Sequence, residues 1–390
     1  MRTIGVVTVA RSDYGIYLPL LRLIQKDPGL KLHLIVAGMH WIPEFGSTAK
    51  EIEKDGFIIG ERVALPLNLD TPEGVATSIG AAVSGYAQCY ARKRPDILVV
   101  LGDRFEMHAA ALGALPFKIP LAHIHGGELT QGAIDDALRH GITKMAHLHF
   151  TATEEYAARV KQMGEESWRV VPAGAPALDK IRTMKLLDKK ELEKQFGLDL
   201  KVPPLLATYH PVTLQYEQTE WQVAEWLKAL ESFDLPIIFT SPNADTSNRI
   251  VRQMIEAFVK TDSRATWVSD FGPIGYFSMM ARSRAMVGNS SSGLIEAPSF
   301  ELPVVNIGIR QEGRVRAQNV IDVGYSFEEI RKGIQKAISP EFKLGLKGMK
   351  NPYGNGNASE KIVKVLKEID LDQKLILKKF LDISDIHGRY

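Results

Sequence analysis

Between Ile97 and Phe150 three short apolar runs, ILVVLG, PLAHIH and LHFTA, each lead into polar residues, with helical spacing in the stretches between. Apolar runs of this length, uninterrupted by polar alternation, need cover on both faces. That is the situation of strands in a parallel sheet with helices on either side. Such a sheet leaves the carboxyl ends of its strands as the ligand crevice, because backbone N–H groups and side chains at the chain reversals face a shared gap. Asp103, Arg104, Glu106, His123, His125, Glu128, Asp135, Asp136, Arg139 and His140 fall at or near such ends. The stretch therefore reads as a site carried on an α/β scaffold.

The alternation extends in both directions. A first strand, Thr3 to Ala10, ends at RSDYG and is followed by the helical pattern IYLPLLRLIQKD. No GxGxxG stands at this strand–helix turn, which argues against a dinucleotide fingerprint, whose glycines allow close approach to a pyrophosphate. KLHLIVAG is a second strand, a helix–strand pair runs from Ser47 to Val63, and a long helix from Pro72 to Arg94 is stopped by Pro95. With WRVVPAG the first half reaches about seven βα units. The stretch between Asp179 and Pro204 is rich in Lys and Glu, closes on a Pro pair and reads as a charged helical hinge. The alternation then restarts with PLLATYH, PIIFTS, ATWVS, RAMVGN and PVVNIG as strands. A Lys- and Leu-rich helix, Glu360 to Asp382, is expected to pack back on the first domain. The expected organisation is α/β, with two Rossmann-like domains facing a cleft: 1–180, a hinge at 181–203, 204–358, and a C-terminal helix at 359–390.

The chain of 390 residues is long enough for two domains of roughly 150–200 residues. Its 48 Lys and Arg against 46 Asp and Glu leave a net charge of +2, so no broad field gathers nucleic acid or anionic membrane. Any anionic ligand must be held locally. The single cysteine, Cys89, excludes an internal disulfide and a CxxC metal or redox motif, which fits a reducing cytoplasm. Its helical surroundings suggest a structural thiol. No signal-peptide pattern opens the chain, and no apolar stretch reaches the ~18 residues that span a bilayer. A cytoplasmic protein without nucleic-acid or membrane partners is expected.

In the second half, TYHP, SPNAD, GNSSSGLIE and NIGIRQEGR are the polar strand ends. GNSSSG joins small residues to an expected helix, so its unpaired N–H groups and hydroxyls suit a phosphate, although a plain serine N-cap is the blander reading. Glu296, one turn inside that helix, suits a ribose, and Arg310 and Arg314 supply positive charge. In PLAHIH, His123 and His125 would share one strand face. With His147 and His149 nearby, a metal site stands against satisfied structural histidines. Asp135 and Asp136 lie at i,i+4 from Arg139 and His140, and a solvated ion-paired face is the alternative to a catalytic one.

Taken in order, RSDYG, LGDRFEM, HIHGGE, DDALRHGITKMAHLHF, YHP, PNAD, GNSSSGLIE and NIGIRQEGRVR resemble the hydrolysing UDP-N-acetylglucosamine 2-epimerases, in the branch serving sialic and legionaminic acid synthesis. The resemblance covers about residues 1–325. It implies a glycosyltransferase-B-type architecture, UDP held between the domains, release of UDP with the 2-epimerised free sugar, no cofactor or metal, and a homodimer. By its motifs the nucleotide residues are Arg11, His210, Asn243, Ser290, Ser291, Glu296 and Arg310, with His210 also in the catalytic set. The catalytic acids are Asp103 and the Asp135–Asp136 pair, of which either is open. Relatives in the wider family carry Glu where His125 stands, so His125 and Glu128 both remain candidates for that acid/base role.

The residue inventory suits this chemistry. Inverting carbon 2 requires a base to remove its proton while UDP leaves carbon 1, giving a 2-acetamidoglucal, after which water adds and carbon 2 is protonated on the other face. Carboxylates and a histidine in differing environments serve the proton transfers, and serines and arginines serve the diphosphate. The expected reaction converts UDP-N-acetylglucosamine to N-acetylmannosamine and UDP. The same reaction on UDP-2,4-diacetamido-2,4,6-trideoxyglucose is the alternative, followed by a glycosyltransferase of the same fold, a nucleotide-sugar sensor and a metal hydrolase.

Overall fold

The computed structural model describes residues 1–42, 48–65, 71–130, 134–241 and 248–382. The chain divides into two compact units, Met1–Lys180 with Tyr353–Tyr390, and Ile181–Pro352. In the first, strands β1 (Arg2–Thr8), β2 (Leu30–Ala37), β3 (Ile59–Val63), β4 (Ile97–Leu101), β5 (Leu121–Ile124), β6 (Leu148–Thr151) and β7 (Val170–Pro172) form one parallel sheet. Their order is β3-β2-β1-β4-β5-β6-β7, so the winding direction reverses between β1 and β4. All five residues of β4 are buried, as a central parallel strand requires. Thr71 starts the helix Pro72–Arg92 by accepting the Gly74 N–H at 3.0 Å, with Pro72 in the first turn, where its missing N–H costs nothing.

The second unit has β8 (Leu205–Thr208), β9 (Ile237–Thr240), β10 (Ala265–Val268), β11 (Ala285–Gly288), β12 (Val304–Ile307) and β13 (Val320–Val323), all parallel, in the order β10-β9-β8-β11-β12-β13. The direction reverses between β8 and β11. Alternate residues feed two cores: Leu205, Ala207, Ile237 and Phe239 pack on one face, Leu206 and Ile238 on the other. The sheet is therefore covered on both sides. Leu192, Leu198 and Leu200, from the charged stretch after Ile181, are buried in the second of these cores. β13 has no counterpart in the sequence reading, because at an edge none of its four residues is fully buried and the apolar run is cut by Asp322. Among the described residues no helix is long and apolar enough to cross a membrane.

From Tyr353 the chain rejoins the first unit. The helix Ala358–Glu368 buries Ile362, Val363 and Leu366 in that unit's core against the helix Arg11–Lys26. Asp179 fixes its start by accepting the N–H groups of Ala358 and Ser359 at 2.9 and 2.7 Å. The single helix expected over Glu360–Asp382 ends early. Ile369 turns extended, and Asp372 caps a separate turn at Gln373–Ile376 by accepting the Leu375 N–H. Fully buried Arg169 holds this tail by donating to the carbonyls of Lys374, Leu375 and Leu377.

Glu165 is the tail's second anchor. Its side chain is fully buried and accepts from Lys144 at 2.6 Å, Lys378 at 2.9 Å and His149 at 3.0 Å. Burial alone would raise its pKa, but these three hydrogen bonds outweigh burial and hold it at about 2, below 4.5. A depressed carboxylate stabilises the fold above the unfolded value, and that contribution is lost as the pH falls through the folded one. It amounts to about 3 kcal/mol at most. Hydrogen exchange of residues 371–382 is expected to accelerate as the pH drops from 4.5 towards 2, after correction for intrinsic rates. The same acceleration in Glu165→Gln would show that this carboxylate is not the cause.

Candidate active site

Both reversal points carry polar residues at the carboxyl ends of the strands, where open α/β sheets bind ligands. At the end of β1, buried Asp13 folds the chain back on itself. One oxygen accepts the Thr8 hydroxyl at 2.7 Å and the Val9 N–H at 2.9 Å, and the other the Ala10 N–H at 2.7 Å. Burial pushes Asp13 up to about 6 despite these bonds. Thr8 also meets the His40 imidazole at 2.9 Å. This network sets Arg11 at the start of its helix with a largely exposed side chain, 3.6 Å from Glu51. Asp13 and His40 were not singled out from sequence. The signal for Asp13 was an acidic residue at the third position of a helix opening.

At the end of β4, Gly102 takes φ +74 and turns out Asp103. Arg139, from the helix Ile134–Met145, donates to the Asp103 carboxylate and to Thr130 Oγ1 at 3.1 Å, with Glu128 Oε2 3.5 Å away. Glu128 Oε1 meets His125 Nδ1 at 2.5 Å. His125, Glu128, Arg139 and Asp103 are thus one linked chain, and His125 Nε2 has no partner among the described residues. The two neighbouring aspartates differ. Asp136 accepts the Thr130 N–H at 2.7 Å and lies 3.5 Å from His140. The Asp135 carboxyl is raised, first by burial and then by the negative charge of Asp103.

His123, His125, His147 and His149 separate into two kinds. His123 and His125 do not share a strand face, because β5 ends at Ile124 and His125 takes φ +65. That left-handed conformation is strained for a residue with a side chain. It is held by the His125 N–H to Phe150 carbonyl bond at 3.0 Å and by Glu128. His123 is fully buried, 2.8 Å from the Gly102 carbonyl and 3.2 Å from Thr143 Oγ1, and burial pushes it down to about 3. His147 accepts the Leu121 N–H at 3.1 Å, and His149 serves Glu165. These three are hydrogen-bonded parts of the scaffold.

In the second unit the ends of β8 and β11 are joined by Asn289. Its side-chain oxygen accepts the His210 N–H at 2.7 Å and its amide donates to the His210 carbonyl at 2.8 Å. Arg310 and Gln311 both donate to the Asn289 carbonyl, at 3.2 and 2.9 Å. His210, Arg310 and the Ser290–Ser291 loop are therefore brought together around one buried amide. Asn289 stands within GNSSSG, where nothing in the sequence marks it for this role. Tyr276, also unmarked in sequence, lies beside Ser292, Thr208 and Ser290, and burial raises it to about 12. The helix after the serine loop is shorter than expected. It spans only Ser292–Ile295, and Glu296 sits at its end instead of one turn inside. A single turn aligns few peptide dipoles, so an anion here relies on hydroxyls, N–H groups and Arg310 more than on a helix field. Asn243 lies outside the described residues.

Comparison with known proteins bears on this arrangement. The family described as UDP-N-acetylglucosamine 2-epimerase matches residues 22–367. A Campylobacter jejuni protein named GDP/UDP-N,N'-diacetylbacillosamine 2-epimerase (hydrolyzing) is 40% identical over 385 residues, 98% of this chain and 99% of its own. The Legionella pneumophila UDP-N,N'-diacetylbacillosamine 2-epimerase (hydrolyzing) is 35% identical over 97% of this chain and 99% of its own. The crystal structure of the Neisseria meningitidis UDP-GlcNAc 2-epimerase bound to UDP-GlcNAc superposes with a TM-score of 0.78 at 20% identity, over 94% of this chain and 99% of that one. This last likeness is one of fold, and it is the glycosyltransferase-B-type fold expected from the motifs. Together with the family match over most of its length, it places the chain in the hydrolysing UDP-N-acetylglucosamine 2-epimerase family.

Proposed function

We propose that this UDP-sugar 2-epimerase acts on UDP-2,4-diacetamido-2,4,6-trideoxyglucose, releasing UDP and the 2-epimerised free sugar. The carrying observation is that the relative at 40% identity and one of those at 35% are named for N,N'-diacetylbacillosamine, whereas a relative named UDP-N-acetylglucosamine 2-epimerase over the same length is 31% identical. These relatives favour the diacetamido sugar over UDP-N-acetylglucosamine, the first expectation from sequence. In our reading Asp103 takes the proton from carbon 2 as UDP leaves carbon 1, giving the glycal. Asp135 then takes a proton from the water that adds at carbon 1, a task for which a raised pKa makes it a stronger base than an ordinary carboxylate. His125 gives a proton to carbon 2 from the opposite face, with Glu128 fixing its ring through Nδ1. Asp136 keeps the Thr130 loop in place. Arg11, Ser290, Ser291, Arg310 and His210 are assigned to the diphosphate, and Glu296 and Asn243 to the nucleoside. Over one turnover Asp103 and Asp135 each gain a proton and His125 loses one, so resetting all three releases one proton to solvent.

Incubating the protein with each UDP-sugar in EDTA, without an acceptor, and following the products by NMR tests the substrate. The diacetamido substrate is expected to have a kcat/KM at least about 10-fold above that of UDP-N-acetylglucosamine, the scale set by one well-read substituent. Equal or better turnover of UDP-N-acetylglucosamine overturns the proposal, and the GDP-linked diacetamido sugar belongs in the same assay because one relative's name includes it. Arg310→Ala should weaken UDP binding by about 1.5–3 kcal/mol, the range for a hydrogen bond to a charged group, and should weaken uridine binding less. Equal losses in a titration calorimeter would remove Arg310 from the diphosphate. His125→Gln should slow hydration more than elimination, so that glycal accumulates in the NMR time course. A lowered melting temperature without glycal would instead make His125 a scaffold residue.

A further inference from the structure

At the outer edge of the first sheet, away from the strand ends, an imidazole, a carboxylate and a thiol converge. His33 on β2, Glu61 on β3 and Cys89 on the helix Pro72–Arg92 bring ligand atoms within 4.8 Å of one another. His33 is 1% exposed and Cys89 fully buried, while the Glu61 side chain is 15% exposed. Neither ring nitrogen of His33 has a hydrogen-bond partner among the described residues. A buried imidazole left this way gives up its bonds to water and gains none in return, which costs about 1–3 kcal/mol per unpaired group. Its surroundings therefore call for a further group to be bound.

The local backbone is shaped around this ring. The register of β2 against β3 slips between Leu34 and Ile35, so that Leu34 faces Ile59 and Ile35 faces Glu61, leaving Gly60 as an extra residue. Such a bulge re-aims the side chain next to it. A Cβ at residue 60 would come within 2.4 Å of His33 Nδ1, so glycine is what admits the imidazole here. Ligands bonded at ~2.0–2.3 Å to a tetrahedral ion stand roughly 3.3–3.8 Å from each other. The observed spread needs to contract only by about the movement of side chains in a rotamer well.

We propose that His33, Glu61 and Cys89 bind one thiophilic divalent cation, with zinc as the type, and that the ion fastens edge strand β3 to β2 and to the helix Pro72–Arg92. The charge around the cluster selects the kind of ion. Arg92 holds Glu61 Oε2 at 2.7 Å, and Lys31 and Lys93 act on His33. A hard ion such as magnesium or calcium, which relies on carboxylate and water oxygens, finds one shared carboxylate among three cations. A metal that binds sulfur converts the Cys89 thiol to a thiolate, adding a negative charge at its own ligand shell and releasing one proton to solvent. Three protein ligands leave the fourth position to water.

The untagged full-length protein, stripped with chelator and titrated with Co2+, tests this without recourse to enzyme activity. One equivalent is expected to bind with thiolate-to-cobalt charge-transfer absorption that added zinc abolishes. Cys89→Ser should lose the band, and Glu61→Gln should bind at least about 10-fold more weakly. Zinc should raise the unfolding temperature of the wild-type protein and leave that of Cys89→Ser unmoved. The wild-type titration is decisive by itself if a buried variant fails to fold. Absence of the charge-transfer band from folded wild-type protein, or equal cobalt binding by wild type and Cys89→Ser, overturns the proposal.

Discussion

Asp103→Asn should lower turnover roughly 10³-fold, in the middle of the 10²–10⁴ range for a positioned proton-transfer group, while UDP affinity stays within about 3-fold. The exchange is nearly isosteric, and the amide oxygen still accepts from Arg139, so the buried guanidinium keeps a partner. What disappears is the negative charge. That charge is the second cause, after burial, of the raised Asp135 carboxyl. In the variant Asp135 should therefore ionise at lower pH. If Asp135 is the base of the hydration step, the acidic limb of the residual pH–rate profile moves to lower pH as well. Steady-state kinetics across pH and calorimetry with UDP read both effects. If UDP affinity falls in step with turnover, Asp103 belongs to the nucleotide or to the scaffold, and the assignment fails. An unmoved acidic limb would separate Asp135 from the reaction.

Asp103 stands out in the sequence as a candidate because a carboxylate one residue beyond the fully buried ILVVL run has few structural uses. The strands were readable for the same reason, since continuous burial leaves a continuous apolar run. β13 escaped because an edge strand buries too little to print such a run. The HIHGGE turn escaped in a different way. Two glycines offer the positive φ that a turn needs, yet His125 takes φ +65 ahead of them, and this rearranges which histidine faces Glu128. Strand periodicity cannot see a reversal that tertiary bonds impose one residue early. The choice between Asp135 and Asp136 likewise depends on contacts absent from the i,i+4 pattern: Asp136 is committed to the Thr130 N–H, and the Asp135 carboxyl is raised by burial and by the charge of Asp103. In the C-terminal segment, the Asp372 cap before Gln373 was a legible stop signal that the Lys/Leu periodicity overrode. Roles toward UDP came from the resemblance of motifs, because small hydroxyl residues and arginines carry no substrate label of their own.

Cys89 and Asn289 share a harder form of illegibility. Each has partners set by sheet order and not by sequence spacing. Asn289 reaches His210 only because β11 lies beside β8, 79 residues away along the chain. Cys89 meets His33 and Glu61 because the helix Pro72–Arg92 covers the β2–β3 edge. A lone cysteine and an asparagine in a serine-rich loop look inert until the strand order is known.

That strand order makes Gly288→Ala the most disruptive single change expected in the second unit. Gly288 closes β11 with φ +150, and a Cβ there would lie 1.8 Å from the Thr208 carbonyl oxygen and 2.7 Å from its carbon. Both atoms are backbone of the paired strand β8, so no side-chain rotation relieves the overlap. The same Thr208 oxygen accepts the Asn289 N–H at 3.1 Å, and Asn289 in turn clamps His210 through two hydrogen bonds. Relief of the clash must spread β11 from β8 and break this sequence of bonds at the centre of the sheet. Backbone strain of about 1–3 kcal/mol adds to the loss of buried hydrogen bonds, so a destabilisation beyond about 4 kcal/mol is expected. Hydrogen exchange should quicken first in β8 and β11 while β1 and β4 keep their protection, since the two sheets belong to separate units. UDP affinity should fall with it, because the His210, Ser290 and Arg310 positions all hang on the Asn289 clamp. If Gly288→Ala retains wild-type exchange in β8 and β11 and wild-type UDP binding, the close approach of these strands is not what holds the serine loop in place.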